Sequence, residues 1–440
     1  MVELAVLGVF AAALLLCVAA DLSILYALVL GYGLFFAYGL WKTRSVVQVL
    51  RLSLAGIGTV KTILVTFLLI GAITAVWRAG GTIPFLVYYA TKVCVPQVMV
   101  LLTFLLCCLL SALTGTAFGT AATVGVICMT MANGMGIPPV YTGGAVLAGS
   151  YFGDRCSPMS TSALLVSELT GTNLFRNISV MIRTSLLPFF LSCGLYLLLG
   201  AGCSAGQGAA DIRAVFAQGF DLTPLTAVPA AAMVLLSLFR INVKITMAVS
   251  MAAGAASALW TQHAAPGALL HMVLFGYHAD SPDLAALLDG GGVLSMARVL
   301  AIVCLSACYA GIFNGTGFLD GIKGRIGALA RRITPFGAVL ATAVLSGMVA
   351  CNQTLTIMLS HQLCQDTAES REAMASYLEN TAVVVSPLIP WSIACTVTLG
   401  TVDAPAASIL AASYLYLLPL WNLIQSLRRR SPVSGPGNRA

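Results

Sequence analysis

The chain has 440 residues, 59% of them hydrophobic and only 8% charged, with a mean hydropathy of +0.96. A soluble domain carries roughly 25% charged residues to keep its surface wet, so this chain cannot coat a water-facing surface and its solvent is lipid. Large soluble domains are excluded. The excess of 22 basic over 15 acidic residues reads as an orientation signal for membrane spans, not as a nucleic-acid surface.

Crossing the hydrocarbon takes roughly 20 apolar residues. In chain order, stretches of that kind lie at 4–20, 22–41 and 57–77. The first is expected to stay, because Met1-Val2-Glu3 lacks the basic region of a secretory signal. A longer apolar segment, 93–135, is broken at Thr114-Gly115-Thr116. The next, 139–165, is interrupted by polar residues, and 178–200 is not. The second half continues with 222–239, 245–260 and 292–314. Then come 335–363, broken at Cys351-Asn352-Gln353, an interrupted 377–400, and finally 405–427. The tail 428–440 has the composition of a disordered segment. Cysteines such as Cys107, Cys108, Cys304 and Cys308 sit inside apolar runs and read as small buried hydrophobes.

Basic residues mark the cytoplasmic side. Lys42, Arg44 and Arg51 mark one loop, Arg240 and Lys244 a second, Lys323, Arg325, Arg331 and Arg332 a third, and Arg428, Arg429 and Arg430 the tail. Asp280, Asp283 and Asp289 suit an outside loop. If 335–363 crossed once, the arginine-rich tail would end outside. If it dips in and returns, every basic loop is cytoplasmic, and the same parity holds for 93–135. The expectation is an all-α polytopic membrane protein with about ten full spans, two re-entrant hairpins and both termini in the cytoplasm. Its halves, 1–205 and 206–440, would carry inverted repeat cores at 57–200 and 292–427. Short echoes support the repeat. Ser111 to Thr116 is similar to Ser346 to Cys351, and Ser157-Pro158 to Ser386-Pro387.

Unwound backbone at membrane depth is tolerated only where protein or a wet cavity covers it, so the four interruptions point to a shared cavity. Around Thr114-Gly115-Thr116, hydroxyls and freed carbonyls offer neutral oxygens; a packing face made by Gly115 and Gly119 is the alternative. The segment from Gly153 to Ser162 carries the strongest signal. An ionised carboxylate in mid-span costs about 2.5–3.5 kcal/mol, so Asp154 must be paired, protonated or bound to a cation. Arg155 next door is one candidate to neutralise it. Against that, Pro158 frees a carbonyl, and Ser157, Ser160 and Ser162 add oxygens, a set suited to a hard cation such as sodium. Sodium and a proton competing for one carboxylate make the simplest antiport mechanism.

In the second half, Asn352 and Gln353 bring amide carbonyls to a hairpin tip, and Pro387 and Pro390 interrupt the helix as Pro158 does. Glu379 lies either at the midplane or at the cytoplasmic mouth. Histidines and cysteines lack metal-ligand spacing, and there is no phosphate-binding glycine loop or nucleophile elbow, so neither an ATP-driven pump nor an enzyme is expected.

At these residues the chain resembles the NhaC family of sodium/proton antiporters, within the wider ion-transporter superfamily. The carrying segments are Thr114 to Gly125, Ala148 to Ser160, Cys351 to Thr354 and Leu378 to Trp391, with Gly80 to Pro84 and Gly171 to Phe175 also fitting. The resemblance implies exchange of sodium for protons in the cell membrane, sometimes coupled to small organic solutes. By position, Asp154, Ser157 and Ser160 would belong to the ion site, and Asn352, Thr354, Glu379 and Ser386 to its opposing half. Thr114 and Thr116 join them from the first hairpin. Thr161 and Asn380 stand where the family commonly has acidic residues, which makes a sodium- or proton-coupled exchanger of a small carboxylate or other metabolite the main alternative, ahead of a channel or receptor. No cofactor is implied beyond the transported sodium ion and proton. Membrane lipid is the expected surrounding, and a homodimer is compatible with the sequence.

Overall fold

The computed structural model describes residues 2–19, 24–93, 95–203, 208–239, 241–279, 281–318 and 334–428. Arg240, Asp280, Lys323, Arg325, Arg331, Arg332 and the tail beyond Arg428, all used above, lie outside the described residues. Among the described residues no strand forms, and the one isolated bridge pairs Tyr277 with Gly290. Helices satisfy their own backbone donors and acceptors, which is what a lipid solvent demands.

The molecule opens with α1 (Val2–Ala19), α2 (Ile24–Thr43) and α3 (Val46–Ala79). Helix α3 starts well before the apolar stretch at 57, because Ser45 caps it by accepting from the Gln48 N–H. After Gly80-Gly81 the chain bends by 67° into α4 (Thr82–Val93). The first hairpin is α5 (Pro96–Thr114) followed by α6 (Ala117–Thr120), a π-helical turn (Ala121–Gly125) and α7 (Val126–Gly134). The first broken span is α8 (Pro139–Cys156) with α9 (Thr161–Thr170), and α10 (Leu174–Ala201) follows.

The second half contains α11 (Gly208–Gly219), α12 (Val228–Leu238), α13 (Val243–Trp260), α14 (Pro266–Phe275), α15 (Pro282–Leu288) and α16 (Ala297–Thr316). Its hairpin is α17 (Pro335–Ala350) with α18 (Gln353–Cys364). Its broken span is α19 (Arg371–Asn380), α20 (Ala382–Val385) and α21 (Ile393–Thr401), and α22 (Ser413–Arg428) closes the described chain. Among the described residues five helices are long and apolar enough to cross a membrane, or eight if each bent pair is one span. The apolar stretches at 222–239 and 405–427 both open in 3-10 turns, Pro224–Ala227 and Ala406–Ala411, so their α-helical parts are shorter than the hydropathy. The chain is an all-helical integral membrane protein.

Small residues set the closest approaches. A Cβ at Gly56 would meet the Ala307 carbonyl oxygen at 2.0 Å, and one at Gly311 the Leu52 oxygen at 2.1 Å, so α3 and α16 touch backbone to backbone. A Cβ at Gly153 would lie 2.0 Å from the Ser111 carbonyl carbon, and one at Gly149 would lie 2.6 Å from Cys107 Cβ. Those two glycines, four apart on α8, give α5 a small-residue face to pack on. That contact seats the first hairpin on the first broken span.

Candidate functional site

The two hairpin tips have the same backbone solution. Gly115 (φ +69°) and Cys351 (φ +52°) are left-handed, and each donates its N–H four residues back, to Ser111 and Gly347. The next residue is extended and caps the following helix. Thr116 Oγ1 accepts from the Gly119 N–H at 2.8 Å, and Asn352 Oδ1 from the Thr354 N–H at 2.8 Å. Both broken spans restart in a related way. Ser160 accepts from the N–H groups of Ser162 and Ala163, and Ser392 from that of Ala394. Matching the tips in space pairs Gly115 with Cys351, one residue off the register of the sequence echo.

Each tip sits on the break of its own half. A Cβ at Gly115 would be 2.5 Å from the Met159 carbonyl carbon and 2.7 Å from the Ser160 nitrogen. In the second half the Ile393 N–H donates to the Cys351 carbonyl at 2.9 Å, and Trp391 Nε1 donates to that of Met348 at 2.9 Å. Two of the bonds that join the halves lie at the cavity. Tyr151 Oη donates to the Ala394 carbonyl at 3.0 Å, and Gln353 Nε2 donates to Asp154 Oδ2 at 3.0 Å. The four interruptions enclose a cavity of about 710 Å³ walled by Thr114 and Thr116, Asp154 and Thr161, Asn352 and Thr354, and Ile393 and Ala394.

Asp154 is buried on that wall. Besides Gln353, Ser162 Oγ donates to Oδ2 at 2.9 Å, while Ser160 Oγ lies 3.5 Å from Oδ1 and donates to the Asp154 carbonyl. Donors of this kind satisfy the carboxylate oxygens without cancelling a charge. Arg155 does not neutralise it. Side chains adjacent in a helix do not face each other, and this fully buried guanidinium turns the other way. It donates to the carbonyls of Glu379 (3.1 Å) and Met181 (3.2 Å), to the hydroxyls of Tyr414 (3.1 Å) and Thr184 (3.1 Å), to Cys156 Sγ, and to Asn380 Oδ1. All are neutral acceptors, so the cation is held in place with its charge unspent.

Against known sequences, the profile of the Na+/H+ antiporter family matches residues 2–168 and 149–416, most of the chain. The chain belongs to the Na+/H+ antiporter family. It is similar to a malate-2H(+)/Na(+)-lactate antiporter of Bacillus subtilis, 25% identical over 405 residues that cover 88% of this chain and 85% of the relative. It is also similar to the Na(+)/H(+) antiporter NhaC of Alkalihalophilus pseudofirmus, 26% identical over 371 residues, covering 81% and 79%. An arginine/ornithine antiporter of Halobacterium salinarum is 26% identical over 384 residues, covering 82% and 77%. Membership makes the chain a membrane transporter of the antiporter kind.

The residues picked from the sequence divide into three groups in this antiporter. Thr114, Thr116, Asp154, Asn352 and Thr354 share the cavity wall. Ser157 and Ser160 are buried behind it at the break, where Ser157 Oγ accepts from the Met159 N–H. Ser386 and Glu379 are buried and do not line it, Ser386 Oγ being spent on the Ala382 carbonyl. Glu379 is not a solvated entry charge, because its exposure is 0%. Ser162, expected as one more oxygen, and Gln353, expected as a tip amide, are the two closest side-chain donors to Asp154, and Lys244, expected only as a marker of sidedness, also lines the cavity. Gln353 was visible as part of the broken tip, but its reach to Asp154 was not, since nothing local links residues so far apart in sequence.

Proposed function

We propose that this antiporter exchanges sodium for protons across the cytoplasmic membrane by alternating access, the two cations competing at Asp154. The observation that carries the proposal is the state of that carboxylate: buried at a helix break, on a cavity wall, and held by hydroxyl and amide donors while Arg155 turns away. A carboxylate with no fixed counter-ion takes either a metal cation or a proton. The oxygens of Thr114, Thr116, Asn352 and Thr354 supply the neutral part of a sodium shell, and helix ends with free carbonyls add to it. Ser157, Ser160 and Ser386 act from behind, by fixing the two breaks. Glu379 supplies the second buried carboxylate.

The proposed topology is about ten spans and two re-entrant hairpins, with inverted cores at 57–200 and 292–427 and both termini in the cytoplasm. Its supports are the shared geometry of the two tips, the matching serine caps at the two breaks, and the parity of the basic loops. Alternating access then moves one assembly against the other around the cavity.

The deciding measurement is sodium-driven proton flux in inverted vesicles with an acid interior. Rapid alkalinisation on adding sodium, saturable and lost in Asp154→Asn, is the expected result. Normal exchange in that variant would remove Asp154 from the mechanism. A second function, exchange of a small carboxylate coupled to sodium, is favoured by Lys244 on the wall of a cavity far larger than a sodium ion. A relative carries the name of a malate/lactate antiporter. Counterflow of labelled carboxylates, with no response to sodium alone, would establish it instead.

A further inference from the structure

We propose that Arg78 and Asp403 are the two sides of an ion pair that is open in this state of the antiporter and closes when the elements carrying Asp154 move against α3. The inference rests on the alternating access proposed above and gives it a contact that holds one end state.

Arg78 is a cation without a partner. It lies in the last turn of α3, just over two turns and about 12 Å past Ile70, which lines the wide cavity. Its Nη1 is enclosed and makes no hydrogen bond, and the guanidinium joins no ion pair among the described residues. A charge enclosed without a partner is costly. The fold nevertheless makes room for it. A Cβ at Gly290 would lie 3.0 Å from Nη1 and one at Gly291 2.9 Å, and both glycines (φ +121° and +75°) take backbone that other residues avoid. This shelf is fixed. The Gly292 N–H donates to the Gly71 carbonyl at 2.8 Å. On either side of Arg78, α3 is pinned to α13, by Trp77 Nε1 on Ser250 Oγ (3.1 Å) and by Ser257 Oγ on the Gly80 carbonyl (2.8 Å).

Two carboxylates act on Arg78, Asp403 more strongly than Asp289. Asp289 is already engaged: Oδ1 accepts from the Ala279 N–H at 2.8 Å, and Oδ2 faces His278 Nδ1 at 3.1 Å. Asp403 is not. It is exposed, in left-handed backbone (φ +54°), and its side chain accepts no hydrogen bond and joins no ion pair among the described residues. Its chain neighbours tie it to the elements of the ion site. The Ala404 N–H donates to the Leu399 carbonyl of α21 at 2.9 Å. A Cβ at Gly143 of α8 would meet Ala404 Cβ at 2.6 Å, and one at Gly125 in the π-helical turn would meet Val402 Cγ1 at 3.1 Å. Asp403 therefore travels with α8 and the first hairpin, while Arg78 stays with α13 and the glycine loop. Opposite charges on two sides of such a boundary attract, and most strongly where little water lies between them. Closing the pair stabilises the end state that brings them together, and opening it releases that state.

The contact is tested apart from transport. The full chain carrying Arg78→Lys, in proteoliposomes, is treated with a water-soluble carbodiimide, which joins an amine to a carboxylate where the two touch. Mass spectrometry of the peptides is expected to find a link between positions 78 and 403. No link, or a link to position 289 alone, overturns the inference whatever ion is carried. Transport then reads the role of the pair, through sodium–sodium counterflow and sodium-driven proton flux at saturating sodium. Absence of both in the wild type sinks the parent reading and leaves the cross-link to decide on the contact. Arg78→Gln and Asp403→Asn are each expected to slow exchange by about tenfold, with the double variant no slower than either. If the two effects multiply in the double variant, each residue acts alone. If Asp403→Asn runs at the wild-type rate, Arg78 has no partner there. Either result overturns the pair. Should Arg78→Gln fail to fold, Asp403→Asn and the cross-link decide, since an exposed carboxylate without a bond has none to lose.

Discussion

The two hairpin tips make the same turn by different means. At the first, Gly115 takes the left-handed backbone, and the space where its Cβ would be is filled by the main chain of Met159 and Ser160. At the second, Cys351 takes the same conformation with a side chain, at a cost of about 1–2 kcal/mol. Hydrogen bonds from Ile393 and Trp391 hold it there. The first tip is locked by contact against the break that carries Asp154. The second is tethered, and its amide, Gln353, reaches across to that same Asp154. The first half supplies Asp154 and Arg155, and neutral groups of the second half, Gln353 and Asn380 among them, dress them.

The sharpest way to break this contrast is a methyl group at the first tip and another one turn before the second. Gly115→Ala pays about 1–2 kcal/mol for the left-handed backbone and about 1–3 kcal/mol more for overpacking against main chain that cannot rotate away. Gly347→Ala meets the movable end of the Ile389 side chain at 2.6 Å and Thr356 Cγ2 at an ordinary 3.4 Å, and gains helix propensity. Thermal unfolding of the purified variants should show a large drop in Tm for Gly115→Ala and little change for Gly347→Ala. Equal drops would mean that both tips are wedged and that the tethered description of the second is wrong.

A smaller effect is expected where the second half touches the charge. Gln353 Nε2 is shared between Asp154 and the Val383 carbonyl, 3.0 and 3.1 Å away. Hydrogen bonds to charged groups contribute about 1.5–3 kcal/mol, and on the proposed function this one supports the carboxylate that binds sodium. Gln353→Leu should therefore weaken apparent sodium affinity by roughly tenfold or more and move the onset of exchange to higher pH. Titrating sodium-driven proton flux at several pH values checks it. An unchanged profile would leave Ser162 as the donor that matters.

Much of the site was legible because its chemistry conflicts with its surroundings. Asp154, the glycine-rich tip, Pro158 and the Asn352-Gln353 pair all stand out in a sequence that is otherwise apolar, and all but Pro158 converge on one cavity wall. Hydropathy was less informative about lengths. It missed the polar start of α3 behind its Ser45 cap, and it did not mark α4 or α14 as separate helices. Backbone approach was less legible still. The sequence drew attention to Gly115 and Gly119 as a packing face, whereas Gly149 and Gly153 seat α8 on α5. Arg155 could be doubted as the partner of Asp154 from helical geometry alone. Its actual partners lie on α10, α19 and α22, and only the assembled fold brings those together.

The smallest effect separates the cavity from its mouth. Lys244 was read as a marker of the cytoplasmic side, and it is a half-buried residue on the wall that Asp154 shares. An ammonium there opposes an entering cation, but water at the mouth keeps the interaction to about 1 kcal/mol or less and salt screens it. Lys244→Gln should tighten apparent sodium affinity by a few-fold at low ionic strength, and the gain should vanish when an impermeant salt is added. Stability should not change, since Lys244 makes no hydrogen bond or ion pair through its amine among the described residues. If affinity is unaltered at every ionic strength, sodium does not enter past Lys244. If carboxylate counterflow is lost instead, the lysine is a ligand for an organic anion, and the large cavity serves a larger solute than sodium.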